Sequence, residues 1–337
     1  MVVETKPSVL IREKPKGLQI EEGPDDVRFL HHPELKRSIP IYEFRNLAHQ
    51  VEIAKVLANG GQILMYGGVW GVFKGVKRAT FGETFFEKVK PGRPPEAKIS
   101  VMIPPEDGVK IVDWSQVHKD FRYLQDYWNF NKLWVGHGAF LHIIAPVRPT
   151  LETLPDIFKT TPPDYAKRYP NLEPIRPTTA ALLSRFEPYT RHFGYLVKRF
   201  SHTDMYVGVS TANRHGEEPP YTEQELFSDI ENGKCDLSEI DLIVTDRKYE
   251  ESGAFASHAQ LRLPLVGEKP TLKVLRIGSL SIEGFEAATG FKCDPPAIGT
   301  KDVRKVPGIS LDEKLAKMME EINRDWKGEK PQIFFRN

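Results

Sequence analysis

The chain has 337 residues, enough for one large domain or two ordinary ones, and its 40% apolar and 28% charged residues are typical of a globular protein. Its 47 Lys and Arg residues against 46 Asp and Glu residues leave a net charge of +1, which excludes a general basic field for nucleic acid, so any anion site must be a local cluster. The two cysteines, Cys235 and Cys293, exclude a disulfide framework and a thiolate metal site.

The N-terminal segment, residues 1–42, is rich in proline, lysine and glutamate, and we expect it to form an extended arm. It contains no apolar core of signal-peptide length, and no apolar run in the chain reaches the ~20 residues that a membrane-spanning helix needs. The sequence therefore predicts a soluble, cytoplasmic protein without a membrane partner.

Helices and strands alternate through the first half of the chain. Apolar residues at Leu47, Val51 and Ala54 indicate one face of the first helix, which the glycines after Asn59 end. In chain order, the predicted elements are a helix at 43–58, a strand and glycine turn at 62–73, a helix at 79–89, a strand at 98–105, a helix at 113–134 and a strand at 138–147.

The second half begins with a proline-rich excursion at 150–179. The capping pairs Thr222/Glu225 and Ser310/Glu313 predict the starts of two later helices. The predicted elements are a helix at 188–199, a strand at 205–211, a helix at 222–230, strands at 240–246 and 272–281, and a helix at 311–326. This mixture predicts an α/β or mixed α+β fold around one twisted sheet.

A basic turn at 88–94 is the first candidate for a binding site. Proline and glycine restrict its backbone, while Lys90 and Arg93 project from it and Lys98 follows. A guanidinium and ammonium groups on a rigid turn suit a phosphate or a carboxylate. A solvated surface turn is the alternative interpretation.

A second candidate follows the strand at 205–211. Ser210, Thr211 and Asn213 offer two hydroxyls and a carboxamide, which can hold phosphate oxygens or a ribose. An ordinary strand-to-helix loop would have the same composition.

Two further segments carry histidine or small polar residues. His137 lies between two glycines, which allow a ligand to approach the backbone closely, and Ser257 lies in a small-residue loop before a strand. A tight turn is the alternative for His137. The sequence contains no phosphate-binding loop motif of the GxxxxGK[ST] type, no GxGxxG after a strand, no HExxH and no GxSxG.

The order of these segments carries more information than any one of them. A helix precedes the strand and turn at 63–72, and the basic turn, a strand and a helix ending at Trp134 follow. Later in the chain come the Ser-Thr-Ala-Asn segment at 210–213 and a closing strand and turn at 274–281. From about Phe44 to Ala287 this order resembles the threonylcarbamoyl-AMP synthase (YrdC-like) family.

The resemblance implies a twisted, mostly mixed sheet flanked by helices, with a central basic cleft. It implies a nucleotidyltransferase of tRNA modification, which makes a carbamoyl-adenylate and pyrophosphate from ATP, bicarbonate and an amino acid. ATP and Mg²⁺ would be its cofactors, a nucleotide plus an amino acid or carbamoyl group its small-molecule substrates, and RNA a further partner to test. The candidate nucleotide-binding residues are Lys90, Arg93, Lys98, Ser210, Thr211, Asn213, Ser257 and Arg276.

The sequence departs from the family where the family has a Pro-Thr-acid-Thr segment. The corresponding residues run from Met65 to Gly68, so both threonines and the acid are replaced, and Tyr66 is far larger than threonine. The candidate catalytic residues are Lys90, Arg93, Tyr66 and His137. Because a site that hydrogen-bonds its substrate rejects analogues without the matching group, we expect the loss of these polar groups to abolish or redirect the family's substrate selectivity.

Three functions stay open on the sequence. The first is an enzyme that makes or uses a carbamoyl or acyl adenylate, and the second is a binding protein for nucleotide or RNA without catalysis. The third is a different biosynthetic reaction in a pocket rebuilt around Tyr66, His137 and His258. We expect an arm at 1–42, the YrdC-like domain at 43–290 including the excursion, and a C-terminal extension with one helix at 291–337.

Overall fold

The structure is a computed structural model that describes residues 17–77, 99–102, 105–134, 139–147, 159–160, 179–184, 187–201, 205–213 and 217–326. The strands are β1 (Gln19–Glu22), β2 (Arg28–His31), β3 (Ser38–Glu43), β4 (Gln62–Tyr66), β5 (Trp70–Lys77), β6 (Ser100–Met102), β7 (Leu141–Pro146), β8 (Lys159–Thr160), β9 (Thr179–Ser184), β10 (Met205–Thr211), β11 (Leu242–Thr245), β12 (Ala259–Arg262), β13 (Lys273–Ile277) and β14 (Lys301–Asp302). The α-helices are α1 (Leu47–Ala58), α2 (Pro105–Ile111), α3 (Tyr127–Asn131), α4 (Pro188–Ser201), α5 (Glu223–Glu231), α6 (Arg247–Ser252), α7 (Ile282–Thr289) and α8 (Gly308–Asp325), and 3-10 helices span Pro24–Asp26, Lys119–Gln125 and Lys132–Trp134.

All of these strands belong to one sheet, whose order is β1-β2-β3-β11-β4-β5-β10-β6-β9-β7-β12-β13-β14, with β8 paired to β9. The pairs β3–β11, β11–β4, β6–β9, β7–β12 and β13–β14 are parallel, and the other pairs are antiparallel. The expected α/β class with a mixed sheet flanked by helices is therefore confirmed. No helix among the described residues is long and apolar enough to cross a membrane.

The first helix is shorter than predicted, because residues up to Glu43 extend strand β3. Asn46 starts α1: its side chain accepts hydrogen bonds from the backbone N–H groups of Ala48 and His49. The helix buries Ile53 and Leu57 and packs against α4 and β5.

The single helix predicted at 113–134 is wrong. The backbone of Val117 instead forms a bridge with Leu265, and the N–H of His118 donates to the carbonyl of Pro264 at 2.8 Å. Three short helical segments follow, and Asp126 caps the start of α3 and separates it from the 3-10 helix before it. The side chain of Trp128 in this stretch is 43% exposed.

Other predicted elements are present close to their expected bounds. Helix α4 and strand β10 match, and Thr222 caps α5 through the N–H of Glu225. Helix α8 begins at Gly308, and neither Ser310 nor Glu313 caps it. The helix predicted at 79–89 and nearly all of the excursion at 150–179 lie outside the described residues.

The terminal segments share the central sheet. Residues 17–42 were expected to form an extended arm, but β1, β2 and β3 make antiparallel pairs at one end of the sheet. At the other end β14 pairs with β13, and α8 contacts α6. The domain boundaries at 42 and 290 stay a prediction.

The sheet curls back on itself. Strand β12 lies six strands away from β4 in the sheet order, which is roughly 29 Å in a flat sheet at about 4.8 Å per strand. Nevertheless, Nε2 of His258, just before β12, lies 3.2 Å from the carbonyl oxygen of Gly67, just after β4. A Cβ on Gly67 would lie 2.8 Å from the Phe140 ring, so the glycine permits this closure.

Candidate functional site

Strand pairing places polar residues from five strands on one face of the curled sheet. Val209, Ser100, Ala181 and Ile144 are direct partners across β10, β6, β9 and β7, so their side chains share a face. Side chains two residues apart on a strand point the same way, so Thr211 shares the face of Val209 and His142 shares the face of Ile144. His142 pairs directly with Gln260 of β12, and Gln260 pairs directly with Arg276 of β13, which extends the face to β13. We call this set the polar face; it consists of Ser100, His142, Thr211, Gln260 and Arg276.

His142 is the centre of a hydrogen-bond network on the polar face. Its Nδ1 lies 3.1 Å from Oγ of Ser100 and 3.3 Å from Nε2 of Gln260. Its Nε2 lies 3.2 Å from Nδ1 of His258, whose Nε2 in turn faces Gly67. The network therefore joins β6, β7 and β12 to the β4–β5 turn.

Burial keeps His142 neutral. Loss of solvent lowers the pKa of His142 well below its usual 6.5, and the nearby His258 and Arg276 lower it further because they disfavour a second positive charge. A neutral imidazole can accept a hydrogen bond at one nitrogen while it donates at the other.

Arg276 supplies the positive charge of the polar face. Its Nε donates to the carbonyl oxygen of His258 at 2.7 Å, which fixes the plane of the guanidinium. The residue is half-buried, whereas His142 is buried. An arginine held in this way suits a phosphate or carboxylate, since its charge does not depend on pH in the physiological range.

The segment after β10 splits between the two faces. Thr211 lies on the polar face, but Ser210 pairs with Val72 and points to the opposite face. Asn213 is buried, and its amide nitrogen donates to the backbone carbonyl of Glu217 within the same loop. The backbone N–H of Ala212 donates to the carbonyl of Trp70 at 2.9 Å, which anchors the segment to β5.

Tyr66 points away from the polar face. It lies two residues after Leu64, which shares the face of Ser210 through Val72. Its ring is fully buried against Trp70 and Tyr249, and its hydroxyl donates to the carbonyl of Tyr221 at 3.0 Å.

Burial also raises the pKa of Tyr66 well above 10, with further contributions from Tyr249 and nearby carboxylates. This placement gives Tyr66 a packing role, and we no longer propose it as a catalytic residue.

The remaining candidates divide into one buried residue and several that lie outside the described residues. Ser257 is buried, and its backbone N–H donates to the carbonyl of Val303 at 3.2 Å. The candidates outside the described residues are Lys90, Arg93, Lys98 and His137. Their assignment to the site stays a prediction.

Sequence reasoning missed three residues of the polar face, namely Ser100, His142 and Gln260. Each is a polar residue within a largely apolar strand, in the sequences Ile-Ser-Val, Leu-His-Ile and Ala-Gln-Leu. A buried polar group costs free energy unless it is hydrogen-bonded, so such a residue indicates a network. This signal was available, but only strand register shows that the three side chains meet.

Within the described residues, no group of three or more histidine, cysteine, aspartate or glutamate residues could hold a metal ion.

No protein-family model and no curated protein match the sequence. Among solved structures, the chain is similar to P. abyssi Sua5 complexed with L-threonine, at 18% identity and a TM-score of 0.48, over 80% of this chain and 66% of that chain, just under two thirds. It is also similar to a doubly substituted P. abyssi Sua5, at 16% identity and a TM-score of 0.47, over 84% of this chain and 75% of that chain. A third similar structure is E. coli YciO, at 12% identity and a TM-score of 0.43, over 73% of this chain and 96% of that chain. At these identities and TM-scores, the likeness assigns no function to this chain.

Proposed function

We propose that the chain binds ATP or an acyl or carbamoyl adenylate on the polar face. In its full form the proposed reaction joins ATP, bicarbonate and an amino acid into a carbamoyl-adenylate and releases pyrophosphate and water. The observation that carries the proposal is the shared face of Thr211 and Arg276, where a hydroxyl and a fixed guanidinium stand beside a neutral hydrogen-bonding network. The sequence resemblance supplies the reaction.

Each group on the polar face has a proposed part. Arg276 holds the anionic end of the ligand, a phosphate or a carboxylate, through charge-assisted hydrogen bonds. Thr211 donates its hydroxyl to a phosphate oxygen, and Asn213 stabilises the loop that carries this hydroxyl through its bond to Glu217. By the sequence resemblance, Lys90 and Arg93 add positive charge to the same ligand.

The chemistry requires no protein nucleophile. Formation of an adenylate needs the reacting groups to be aligned and the charge that develops on the phosphates to be stabilised. ATP brings magnesium with it, and this ion supplies charge neutralisation on the phosphate oxygens. The residues of the chain bind and orient the reactants.

Nucleotide binding is tested with Arg276→Ala. Titration calorimetry with ATP and Mg²⁺ should detect binding to the wild-type protein. The variant should bind at least about tenfold more weakly, since a charge-assisted hydrogen bond contributes roughly 1.5–3 kcal/mol. Arg199→Ala, which removes an exposed arginine of α4, is the matched control and should bind like the wild type. Absence of ATP binding to the wild-type protein would contradict the proposal.

The reaction itself is tested by pyrophosphate release. Release that requires both bicarbonate and one member of a panel of amino acids supports the full proposal. ATP binding without release under any of these conditions supports the second candidate, a nucleotide-binding protein without catalysis. The replacement of the family's hydroxyl and acidic residues between Met65 and Gly68 motivates this second candidate.

A further inference from the structure

We propose that Lys301, on the edge strand β14, is a further ligand-binding residue, and that it forms with Arg276 a two-cation subsite for a terminal phosphate of the ligand. The inference rests on the proposed function, in which Arg276 holds either a phosphate or a carboxylate, and it selects the phosphate. Lys301 lies beyond Ala287, where the sequence resemblance ends, so the resemblance assigns it no role.

Strand pairing continues the polar face by one strand, from β13 to β14 at the end of the sheet. The two strands are parallel, and Lys301 is the direct partner of Arg276. Direct partners in a sheet point to the same face, and neighbouring strands lie about 4.8 Å apart. The side chains of Lys301 and Arg276 therefore leave the sheet side by side.

Backbone hydrogen bonds hold the segment that carries Lys301. The N–H of Val303 donates to the carbonyl oxygen of Ile277 at 3.2 Å, and the carbonyl oxygen of Val303 accepts from the N–H of Ser257 at 3.2 Å. The segment is thus fixed between β13 and the loop before β12. The side chain of Lys301 is exposed, so a ligand on this face can reach its ammonium group.

The three cations of residues 301–305 differ in their partners. Arg304 forms an ion pair with Asp302, and Lys305 forms one with Glu218 at 2.7 Å. Asp302 points to the opposite face from Lys301, since neighbouring residues on a strand alternate. The side chain of Lys301 forms no hydrogen bond or ion pair with any residue that the structure describes.

Two adjacent cations favour a ligand with more than one negative charge. Like charges on directly paired residues repel each other, which destabilises the ligand-free protein. A carboxylate would offset one of the two positive charges, whereas a terminal phosphate carries about two negative charges at pH 7. A phosphate held between Lys301 and Arg276 therefore matches the charge of this pair.

Charge variants at position 301 test the subsite, with ATP plus Mg²⁺ and inorganic pyrophosphate as the two probes. Titration calorimetry at low ionic strength compares the wild-type protein with Lys301→Arg, Lys301→Gln and Lys301→Glu. Lys269→Gln, which removes an exposed lysine from the loop between β12 and β13, is the matched control.

The affinity for both probes should follow the charge at position 301. Lys301→Arg and Lys269→Gln should bind like the wild type. Lys301→Gln should bind about three- to tenfold more weakly, and Lys301→Glu more weakly still, because an exposed charge acts on the phosphate through a largely aqueous medium. These differences should shrink at about 1 M salt, where the screening length falls to about 3 Å.

Thermal unfolding without ligand separates a binding role of Lys301 from a structural one. Removal of one of two repelling charges should leave Lys301→Gln at least as stable as the wild type, although this variant binds the probes more weakly. A lower unfolding temperature of Lys301→Gln would assign Lys301 a structural role and overturn the subsite.

The subsite and the proposed function fail in different ways. ATP binding that is the same in all Lys301 variants rejects the subsite and leaves nucleotide binding intact, and this result is expected if Arg276 holds a carboxylate. Charge-dependent binding of pyrophosphate without ATP binding keeps the subsite and rejects the proposed nucleotide function. Binding of neither probe to the wild-type protein rejects both.

Discussion

Glu43 lies at the end of β3, where its surroundings disfavour the ionised form of its carboxyl group. Its side chain is 26% exposed, and its Oε2 accepts hydrogen bonds from the hydroxyl of Thr245 and the N–H of Arg247. Burial, together with the neighbouring Asp246, raises the pKa of Glu43 from 4.5 to about 7, against a smaller lowering by Arg247. The folded protein therefore retains a proton at this site that the unfolded chain releases.

This pKa predicts a pH-dependent gain in the variant Glu43→Gln. A raised carboxyl pKa stabilises the folded state fully below pH 4.5, and this contribution is lost as the pH rises to about 7. Glutamine cannot ionise and keeps an acceptor for Thr245, so the variant should exceed the wild type by about 1–2 kcal/mol at pH 8 and gain much less at pH 5.

Urea denaturation at the two pH values measures the difference. Glu52→Gln, which removes an exposed carboxylate paired with Lys55, is the control. An equal gain from Glu43→Gln at pH 5 and pH 8 would show that Glu43 is ionised in the folded protein throughout this range.

At the scale of the element, local signals in the sequence predicted what local interactions determine. Thr222 caps α5, as its spacing to Glu225 indicates. The helix predicted at 113–134 failed because Val117 and His118 bond to a segment almost 150 residues later in the chain. No local pattern reports such a partner.

The polar face was hidden for the same reason. Thr211 and Arg276 were chosen from segments that resemble a family, whereas His142 lies in an apolar strand where a single histidine is easily taken for a packed core residue. The register of six strands, from β10 through β6, β9, β7 and β12 to β13, brings these residues to one face. Tyr66 shows the converse, since it lies in the segment that corresponds to the family's Pro-Thr-acid-Thr segment, but strand alternation points its side chain to the opposite face.

The contact between α1 and β5 predicts a large effect of one methyl group. A Cβ on Gly75 would lie 1.8 Å from the carbonyl oxygen of Leu57, a backbone atom near the end of α1. Gly75→Ala must therefore displace the helix and should cost more than about 3 kcal/mol, in the range of severe changes in a packed core. Gly233→Ala is the comparison. The φ of 65° at Gly233 disfavours alanine, but no atom lies within 4 Å of the position that the added Cβ would take, so we expect a loss of about 1 kcal/mol in the free energy of unfolding.

Thermal unfolding of the two glycine variants measures this contrast. Helical circular dichroism should show an early loss of structure for Gly75→Ala. Comparable stabilities of the two variants would mean that α1 and β5 do not approach each other as closely as the structure shows.

At the scale of the whole molecule, the histidine pair connects distant parts of the sheet. His258 links the start of β12 to the β4–β5 turn, and His142 supports His258 from β7. Residues on β10, β6, β7, β12 and β13 can face one ligand only because the sheet is curled. The stability of this closure and the geometry of the polar face should therefore depend on the same two imidazoles.

The pKa of His142 predicts how the closure responds to acid. Because burial lowers this pKa well below 6.5, the unfolded chain takes up a proton that the folded protein excludes. The contribution of His142 to stability is complete above pH 6.5 and is lost as the pH falls below it, at up to about 1.4 kcal/mol per pH unit.

The variant His142→Asn tests this dependence on pH. Asparagine does not titrate, so the stability of this variant should fall less steeply between pH 6.5 and pH 5, even if the variant is less stable at pH 7.5. His32→Asn, which removes a half-buried histidine in the loop between β2 and β3, is the control. Identical acid slopes for the wild type and His142→Asn would show that the folded protein admits the proton, and the closure would then not depend on a neutral imidazole.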